Sequence, residues 1–319
     1  MSGAENTRPF DVMPFDVTPF DMAPFAVLDG GLSTVLEESG EHPAGLLWTA
    51  EALLDRPHVL EAAHRAFVES GADVVITASY QASEPGLVAA GLTSHDARLA
   101  LARTTALARS SGARWVAASV GPYGAYLADG SEYRGDYVSR TPGSVTWEQI
   151  RAFHRTRLEV LVDSGPDLFA IETIPLAVEA EIVVDELRRL TDIPAWVSFS
   201  CRDGATTCGG DLLVDAARRV APAVDAVGVN CTAPTHVESA LVALGSIGLP
   251  VVAYPNHGAE WDAEHKCWIG PTGGTELASM AARWSELGAR LIGGCCGVGT
   301  AGVAALAAER HRLAGGPAS

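Results

Sequence analysis

Two adjacent cysteines, Cys295 and Cys296, follow an apolar run that predicts a buried strand, and they are the residues of this chain best suited to chemistry. Cys231 ends a similar run, far enough upstream for two strand-and-helix units to lie between them. Because parallel strands bring their carboxyl ends to one end of a sheet, the three thiols are expected to meet there. Three sulfur ligands and one vacant position describe a zinc site that accepts a substrate. Buried apolar thiols or a disulfide remain alternative interpretations.

Composition narrows the class of protein. The chain has 319 residues, of which 48% are apolar, so it forms either one large α/β domain or two smaller ones. A net charge of −17 without a cluster of lysine and arginine argues against a nucleic-acid partner. No apolar stretch is long enough to span a membrane, and no secretory leader is visible, so we expect a cytoplasmic protein. In that compartment the six cysteines are expected to be thiols.

The N-terminus carries a Pro-Phe-Asp repeat over residues 9–27, with a proline at every fifth position. This spacing excludes a regular helix, because proline lacks the amide hydrogen and clashes with the preceding turn. We therefore expect an extended or disordered arm over residues 1–24, a barrel domain over 25–311 and a tail over 312–319.

Short apolar runs alternate with amphipathic helical stretches between these termini, a pattern typical of repeated βα units. Eight strands are predicted, at 26–28, 74–77, 115–119, 168–172, 195–200, 226–230, 251–254 and 291–293. Helices predicted between them include 56–70, 94–110, 147–163 and 274–287. Eight such units favour a (β/α)8 TIM barrel. An open doubly wound sheet is the alternative, although no G-x-G-x-x-G follows the first strand.

Polar residues follow these strands at the end where a barrel carries its active site. Asp29 and Glu172 each close an apolar run, where an unpaired carboxylate is costly to bury. They therefore act as an acid/base pair, as a clamp for an ammonium group, or as partners of buried arginines. His257 and His265 lie in the long loop after the seventh strand and are predicted to be solvated rather than metal ligands.

Several segments resemble bacterial homocysteine S-methyltransferases of the branch that uses S-methylmethionine. The resemblance covers residues 25–311, and its most specific segment is the loop after the third strand, 119–137. The other segments that carry it are 74–82, 228–231, 254–256 and 291–296. The Gly-Gly-Cys-Cys motif alone indicates only the wider family.

The resemblance implies a zinc-dependent (β/α)8 barrel in which Cys231, Cys295 and Cys296 bind Zn²⁺. It also implies that Tyr80 lies beside the metal as a catalytic residue, and that Asp29 and Glu172 receive the ammonium group of homocysteine. The expected substrate-binding set is completed by residues that follow strands at the same end: Gly30, Tyr123, Thr173 and Asn256.

The expected partners are two small molecules, homocysteine and a sulfonium methyl donor. A zinc-bound thiolate is a far better nucleophile than a thiol, and the thioether leaves without needing a proton. S-methylmethionine is the favoured donor, and aromatic side chains suit its cation. Alternatives are S-adenosylmethionine as donor, selenocysteine as acceptor, a non-catalytic zinc-binding barrel, or a lyase or aldolase barrel using a divalent metal.

Overall fold

The computed structural model describes residues 17–40, 48–138, 144–258, 260–262, 267–269 and 274–315. Its strands are β1 (Ala26–Val27), β2 (Val74–Ile76), β3 (Trp115–Val120), β4 (Leu168–Ile174), β5 (Ala195–Phe199), β6 (Ala226–Asn230), β7 (Val251–Tyr254), β8 (Glu260–Asp262), β9 (Cys267–Ile269) and β10 (Ala289–Ile292). Its α-helices are α1 (Leu32–Glu38), α2 (Trp48–Asp55), α3 (Pro57–Glu69), α4 (Glu84–Ala89), α5 (Ser94–Ser110), α6 (Tyr123–Leu127), α7 (Trp147–Asp163), α8 (Ala177–Leu190), α9 (Leu213–Val220), α10 (Pro234–Leu244), α11 (Leu277–Glu286) and α12 (Thr300–Leu313).

Eight parallel strands form the barrel, in the order β1-β10-β7-β6-β5-β4-β3-β2. A parallel bridge between Leu28 and Val74 brings the two ends of this sheet together. The predicted (β/α)8 barrel is therefore confirmed, and the open doubly wound sheet is wrong. The sequence did not predict the antiparallel hairpin of β8 and β9, which follows β7.

The predicted bounds differ from the structure only at element ends. The last strand begins at Ala289, two residues before its predicted start, because Ala289 already pairs with Val251 of β7. The helix predicted over 274–287 begins as a 3-10 turn, Gly274–Glu276, before α11. The helix α12 continues to Leu313, two residues into the predicted tail.

The core has two layers, as the burial of the strands on both faces requires. One apolar cluster fills the barrel interior and includes Ala170, Trp196, Val252 and Leu291. A larger cluster lies between the strands and the surrounding helices. Because the barrel strands are largely buried on both faces, polar side chains near their carboxyl ends are the ones best placed to meet a ligand. None of the described helices is long and apolar enough to cross a membrane.

Part of the N-terminal arm packs against the barrel. Residues Pro19–Asp21 form a 3-10 turn that Thr18 caps, and the Phe20 side chain is only 7% exposed. Its ring lies edge-on to Trp196 of the barrel interior, with 6.4 Å between the centroids. The structure thus differs from the expected extended arm over 19–21, because a large aromatic ring gains more from burial than from exposure. The first sixteen residues lie outside the described part of the chain.

Candidate metal and substrate site

Three cysteines meet at the carboxyl ends of β6 and β10. Cys231 directly follows β6, and Cys295 and Cys296 follow β10. Their sulfur atoms all lie within 4.8 Å of one another. The Sγ of Cys296 lies 3.8 Å from that of Cys231 and 3.9 Å from that of Cys295. Cys231 and Cys295 are joined as a disulfide, with 5.7 Å between their Cα atoms. The sequence therefore predicted correctly which cysteines come together.

These sulfurs fit a tetrahedral metal site. Zinc bound to thiolates at about 2.3 Å places neighbouring sulfurs roughly 3.8 Å apart, and two of the three pairs already have that spacing. The third pair must be reduced, because a metal binds thiolates and not disulfide sulfurs. Burial raises the pKa of the Cys296 thiol to about 12, although a hydrogen bond from Tyr133 opposes that shift. A thiolate at this position therefore needs a bound cation.

The backbone around the cysteines is held in an unusual conformation. Cys231 has φ +45°, in the left-handed region that side chains other than glycine rarely adopt. Its amide donates to the Tyr254 carbonyl at 3.2 Å, and the Cys295 amide donates to the Pro255 carbonyl at 2.8 Å. Strain of this kind persists where the surrounding hydrogen bonds enforce it, and it is concentrated at functional sites.

His257 is buried and not solvated, contrary to the prediction from its loop position. It is 9% exposed, and its amide donates to the Cys296 carbonyl at 3.0 Å. Its Nδ1 lies 2.9 Å from the same oxygen. A side chain at Gly297 would collide with this imidazole. His257 thus fixes the backbone of a cysteine. His265 lies outside the described residues.

Asp29 and Glu172 lie buried near each other at the same barrel end. Asp29 is 2% exposed and accepts a hydrogen bond from the Ile76 amide at 2.8 Å. Glu172 is 7% exposed and accepts hydrogen bonds from the hydroxyls of Ser119 and Tyr254. Among the described residues neither carboxylate forms an ion pair, although the positive charge of the buried Arg157 guanidinium lowers the pKa of Glu172.

The pKa of both carboxyl groups is displaced upward. Burial raises the pKa of Asp29 well above its usual value, and the nearby charge of Glu172 adds to the shift. Burial raises the pKa of Glu172 to about 7. Two buried carboxylates bind a cation strongly, because the cation relieves their desolvation and, at Asp29, the repulsion by Glu172. The pair is suited to receive an ammonium group.

Tyr80 also lies at this end, at the loop that follows β2. Its hydroxyl is buried and has no hydrogen-bond partner within the described part of the chain. The buried guanidinium of Arg157, on α7, holds the backbone here. It donates to the carbonyls of Ser79 and Tyr80, at 2.9 and 2.7 Å, and to that of Gly121 at 2.9 Å. This arginine therefore joins the loops after β2 and β3.

Tyr123 packs sideways onto a helix. Its ring lies 5.0 Å from Phe153 of α7 and 5.4 Å from Tyr126, both in edge-on contacts. Its amide donates to the buried carboxylate of Glu179 at 2.6 Å. Within the same loop it is Tyr133, which hydrogen-bonds Cys296, that lies beside the sulfurs. Tyr123 anchors the loop, and a direct role in substrate binding stays a prediction.

The remaining predicted residues lie at strand ends as expected. A side chain at Gly30 would clash with the Val298 carbonyl, so glycine permits close packing of the backbone there. Asn256 is 7% exposed, and its Oδ1 accepts a hydrogen bond from the Gly258 amide at 2.9 Å. Thr173 is fully buried after Glu172 with φ +59°. Contacts of these residues with a substrate stay predictions.

Glu132 lies at the same barrel end, and the sequence analysis did not single it out. It lies in a 3-10 turn, Ser131–Tyr133, and is 8% exposed. The Ser200 hydroxyl donates to its carbonyl at 3.0 Å, which places the turn over the end of β5. The one available signal was its position in the specific loop after β3, where nothing marked it among several acidic residues.

The sequence profile of the homocysteine S-methyltransferase family matches residues 26–310. The chain belongs to this family. It is 41% identical over 305 residues to homocysteine S-methyltransferase 4 of Zea mays, which covers 88% of each chain. It is 37% identical over 291 residues to homocysteine S-methyltransferase YbgG of Bacillus subtilis, covering 85% of this chain and 89% of the relative.

Solved structures of the homocysteine methyltransferase MmuM from Escherichia coli are similar to this fold. An oxidised and a metallated form each match with a TM-score of 0.79 and 38% identity. The matches cover 90% of this chain and 96% and 97% of the MmuM chains. The family resemblance inferred from the sequence is confirmed.

Proposed function

We propose that this protein transfers a methyl group from S-methylmethionine to the sulfur of L-homocysteine, forming methionine. Three clustered cysteine sulfurs, of which two pairs have the spacing of a tetrahedral zinc site, lie at the barrel end that carries two buried carboxyl groups, and this arrangement carries the proposal. Family membership supports it, since the relatives are named for methyl transfer to homocysteine.

We propose zinc as the metal, because three thiolate ligands favour a soft or borderline cation over magnesium or calcium. Cys231, Cys295 and Cys296 would hold it. Zinc bound there would keep the acceptor sulfur as a thiolate at neutral pH. The metallated form of MmuM, a similar structure, supports a metal in this fold.

The residues around the cysteines position the two substrates. Asp29 and Glu172 would receive the ammonium group of homocysteine and fix the direction of its side chain toward the sulfurs. Ser119 and Tyr254 hold the Glu172 carboxylate by hydrogen bonds, so it need not reorganise when the cation arrives. The reaction needs alignment rather than proton transfer, because the departing thioether is neutral.

The loop after β3 supports S-methylmethionine as the donor. Its turn at 131–133 contacts β4 and lies over the end of β5, and we propose that it limits the room for an adenosyl group. Tyr80 and Tyr133 place aromatic rings beside the cysteines, and a sulfonium cation is attracted to such rings.

A competition assay tests the proposal. The reduced protein, loaded with zinc, receives homocysteine with equal concentrations of S-methylmethionine and S-adenosylmethionine, and each demethylated product is measured. We expect preferential consumption of S-methylmethionine and one zinc per chain. A clear preference for the adenosyl donor would refute the donor assignment, whereas no methionine from any sulfonium would refute the activity. Selenocysteine in place of homocysteine tests the alternative acceptor.

A further inference from the structure

Glu132 carries a feature that the chemistry described so far leaves unexplained. Its Oε2 is the one buried carboxylate oxygen without a hydrogen-bond partner in the described part of the chain. A desolvated carboxylate oxygen without a partner is unfavourable, and native structures contain few of them.

Other buried glutamates of this protein are fully engaged. Glu179 accepts from the Tyr123 amide and from the Tyr137 hydroxyl, and one oxygen lies 2.9 Å from Nε2 of His154. The cation nearest to Glu132 in sequence, Arg134, instead pairs with the exposed Asp136 at 2.9 Å. The unpaired state of Glu132 is therefore specific to its position.

That position faces the metal site. The turn that carries it, Ser131–Tyr133, contacts β4 and lies over the end of β5, at the barrel end where the three cysteines meet. A buried carboxylate oxygen without a partner among the described residues thus lies at the same barrel end as the cysteines, where a cationic group of a ligand would satisfy it.

Contacts with neighbouring residues fix the backbone of Glu132, which limits the positions that its carboxylate can adopt. The Ser200 hydroxyl donates to its carbonyl at 3.0 Å. Any side chain at Gly124 would meet the Glu132 amide nitrogen at 2.6 Å, so the helix α6 packs closely against this turn. A preorganised carboxylate in a site of low polarity attracts a cation strongly.

We infer that Glu132 binds the positive charge of the methyl donor, and so serves as a specificity-determining residue for cationic donors. This inference rests on the proposed function. The acceptor brings one ammonium group, which Asp29 and Glu172 are placed to receive. The donor brings a sulfonium and an ammonium group, and Glu132 is the buried carboxylate left to receive one of them.

The test compares Glu132→Gln with Asp136→Asn, a matched loss of one carboxylate from the exposed side of the same loop. For Glu132→Gln, the KM for S-methylmethionine should rise at least about tenfold, as loss of a hydrogen bond to a charged group predicts. The KM for homocysteine should stay within about twofold, and zinc content should not change. Asp136→Asn should match the wild type in all three values.

A stability measurement separates this role from a structural one. Removing an unpaired buried charge should leave the thermal midpoint of the substrate-free protein unchanged or higher, even while donor use declines. A residue that only supports the loop would lower the midpoint when replaced. If Glu132→Gln fails to fold, Glu132→Asp keeps the charge, shortens the reach and should raise the donor KM without affecting homocysteine.

Two competitors identify which cation is bound, with homocysteine saturating. Dimethylsulfoniopropionate carries a sulfonium without an α-ammonium, and L-norleucine carries an α-ammonium without a sulfonium. Weaker inhibition of Glu132→Gln by one of them assigns the contact to that group. An unchanged donor KM in Glu132→Gln, or an increase confined to the KM for homocysteine, would overturn the inference. Absence of turnover in the wild type would instead refute the proposed function.

Discussion

Asn230 at the end of β6 holds Thr173 of β4 by two hydrogen bonds that pass the intervening strand β5. The Thr173 amide donates to Oδ1 of Asn230 at 2.7 Å, and Nδ2 of Asn230 donates to the Thr173 hydroxyl at 2.7 Å. A β-branched residue at φ +59° is strained, and these bonds are what holds it there. Asn230 precedes Cys231 and Thr173 follows Glu172, so this pair links the proposed metal site to the proposed ammonium site.

Replacing Asn230 by alanine should therefore damage both stability and homocysteine binding. The buried amide and hydroxyl of Thr173 would lose their partners, which predicts a loss of about 1–3 kcal/mol in the free energy of unfolding. The KM for homocysteine should rise because Glu172 is no longer fixed. Urea denaturation and steady-state kinetics measure both effects. Ser198→Ala, which removes one hydrogen bond to Asn230, is the milder comparison and should give smaller changes.

Each of the three clustered cysteines should be necessary for the metal. Alanine at Cys231, Cys295 or Cys296 leaves two thiolates, too few for a stable tetrahedral site, so zinc content and turnover should both fall to background. Cys208→Ala is the control, since Cys208 is a free cysteine outside the cluster, and it should keep one zinc per chain. Zinc is measured by elemental analysis after purification under reducing conditions. A single variant that retains both zinc and turnover would contradict the site.

Loss of either carboxylate proposed to bind the homocysteine ammonium group should raise the KM for homocysteine without releasing the metal. We expect Asp29→Asn and Glu172→Gln to raise the KM for homocysteine by about tenfold or more, because each removes a charged partner of the ammonium group. Since the pKa of Glu172 is about 7 in the free protein, its ionised fraction declines as the pH falls from 8 to 6. The kcat/KM for homocysteine of the wild type should decline with it, and more steeply than that of Glu172→Gln. Zinc loss with unchanged KM would exclude the assigned role.

Strand ends were predictable because regular geometry dictates them. Parallel strands of a barrel share one carboxyl end, so any residue just after a strand lies at that end whatever the rest of the chain does. This rule predicted from the sequence alone that Cys231, Cys295, Asp29 and Glu172 lie at one end of the barrel. The strands themselves could be predicted because barrel strands are buried on both faces and therefore read as short apolar runs.

Loop residues followed no such rule. The turn that carries Glu132 is fixed by Ser200, which is distant in sequence, and by close packing against Gly124 of the same loop. His257 is buried for a comparable reason, since the carbonyl of Cys296 accepts its hydrogen bond. The local sequence identifies Glu132 and His257 only as polar residues of loops. Which of them turn inward depends on tertiary packing that a linear pattern does not record.

Phe20 should contribute to stability and not to catalysis, since it precedes β1 and its ring packs against Trp196, near the first residue of β5. Phe20→Ala removes a buried ring and its edge-on contact with Trp196, which predicts a loss of about 3 kcal/mol in the free energy of unfolding. Zinc content and both KM values should be those of the wild type. Val17→Ala, on an exposed residue just upstream, should be neutral. Equal stability of Phe20→Ala and the wild type would show that the arm has no packing role.

His64 should make the fold sensitive to acid. It is fully buried in α3, neither ring nitrogen has a partner within the described chain, and burial lowers its pKa from 6.5 to about 4. Below pH 6.5 the histidine binds a proton in the unfolded chain but stays neutral in the folded protein. The free energy of unfolding therefore decreases as the pH falls toward 4. The free energy of unfolding of His64→Met should therefore gain about 2 kcal/mol over that of the wild type when the pH is lowered from 8 to 5. His58→Gln, at an exposed position of the same helix, should keep the wild-type pH dependence, and an unchanged dependence in His64→Met would contradict this account.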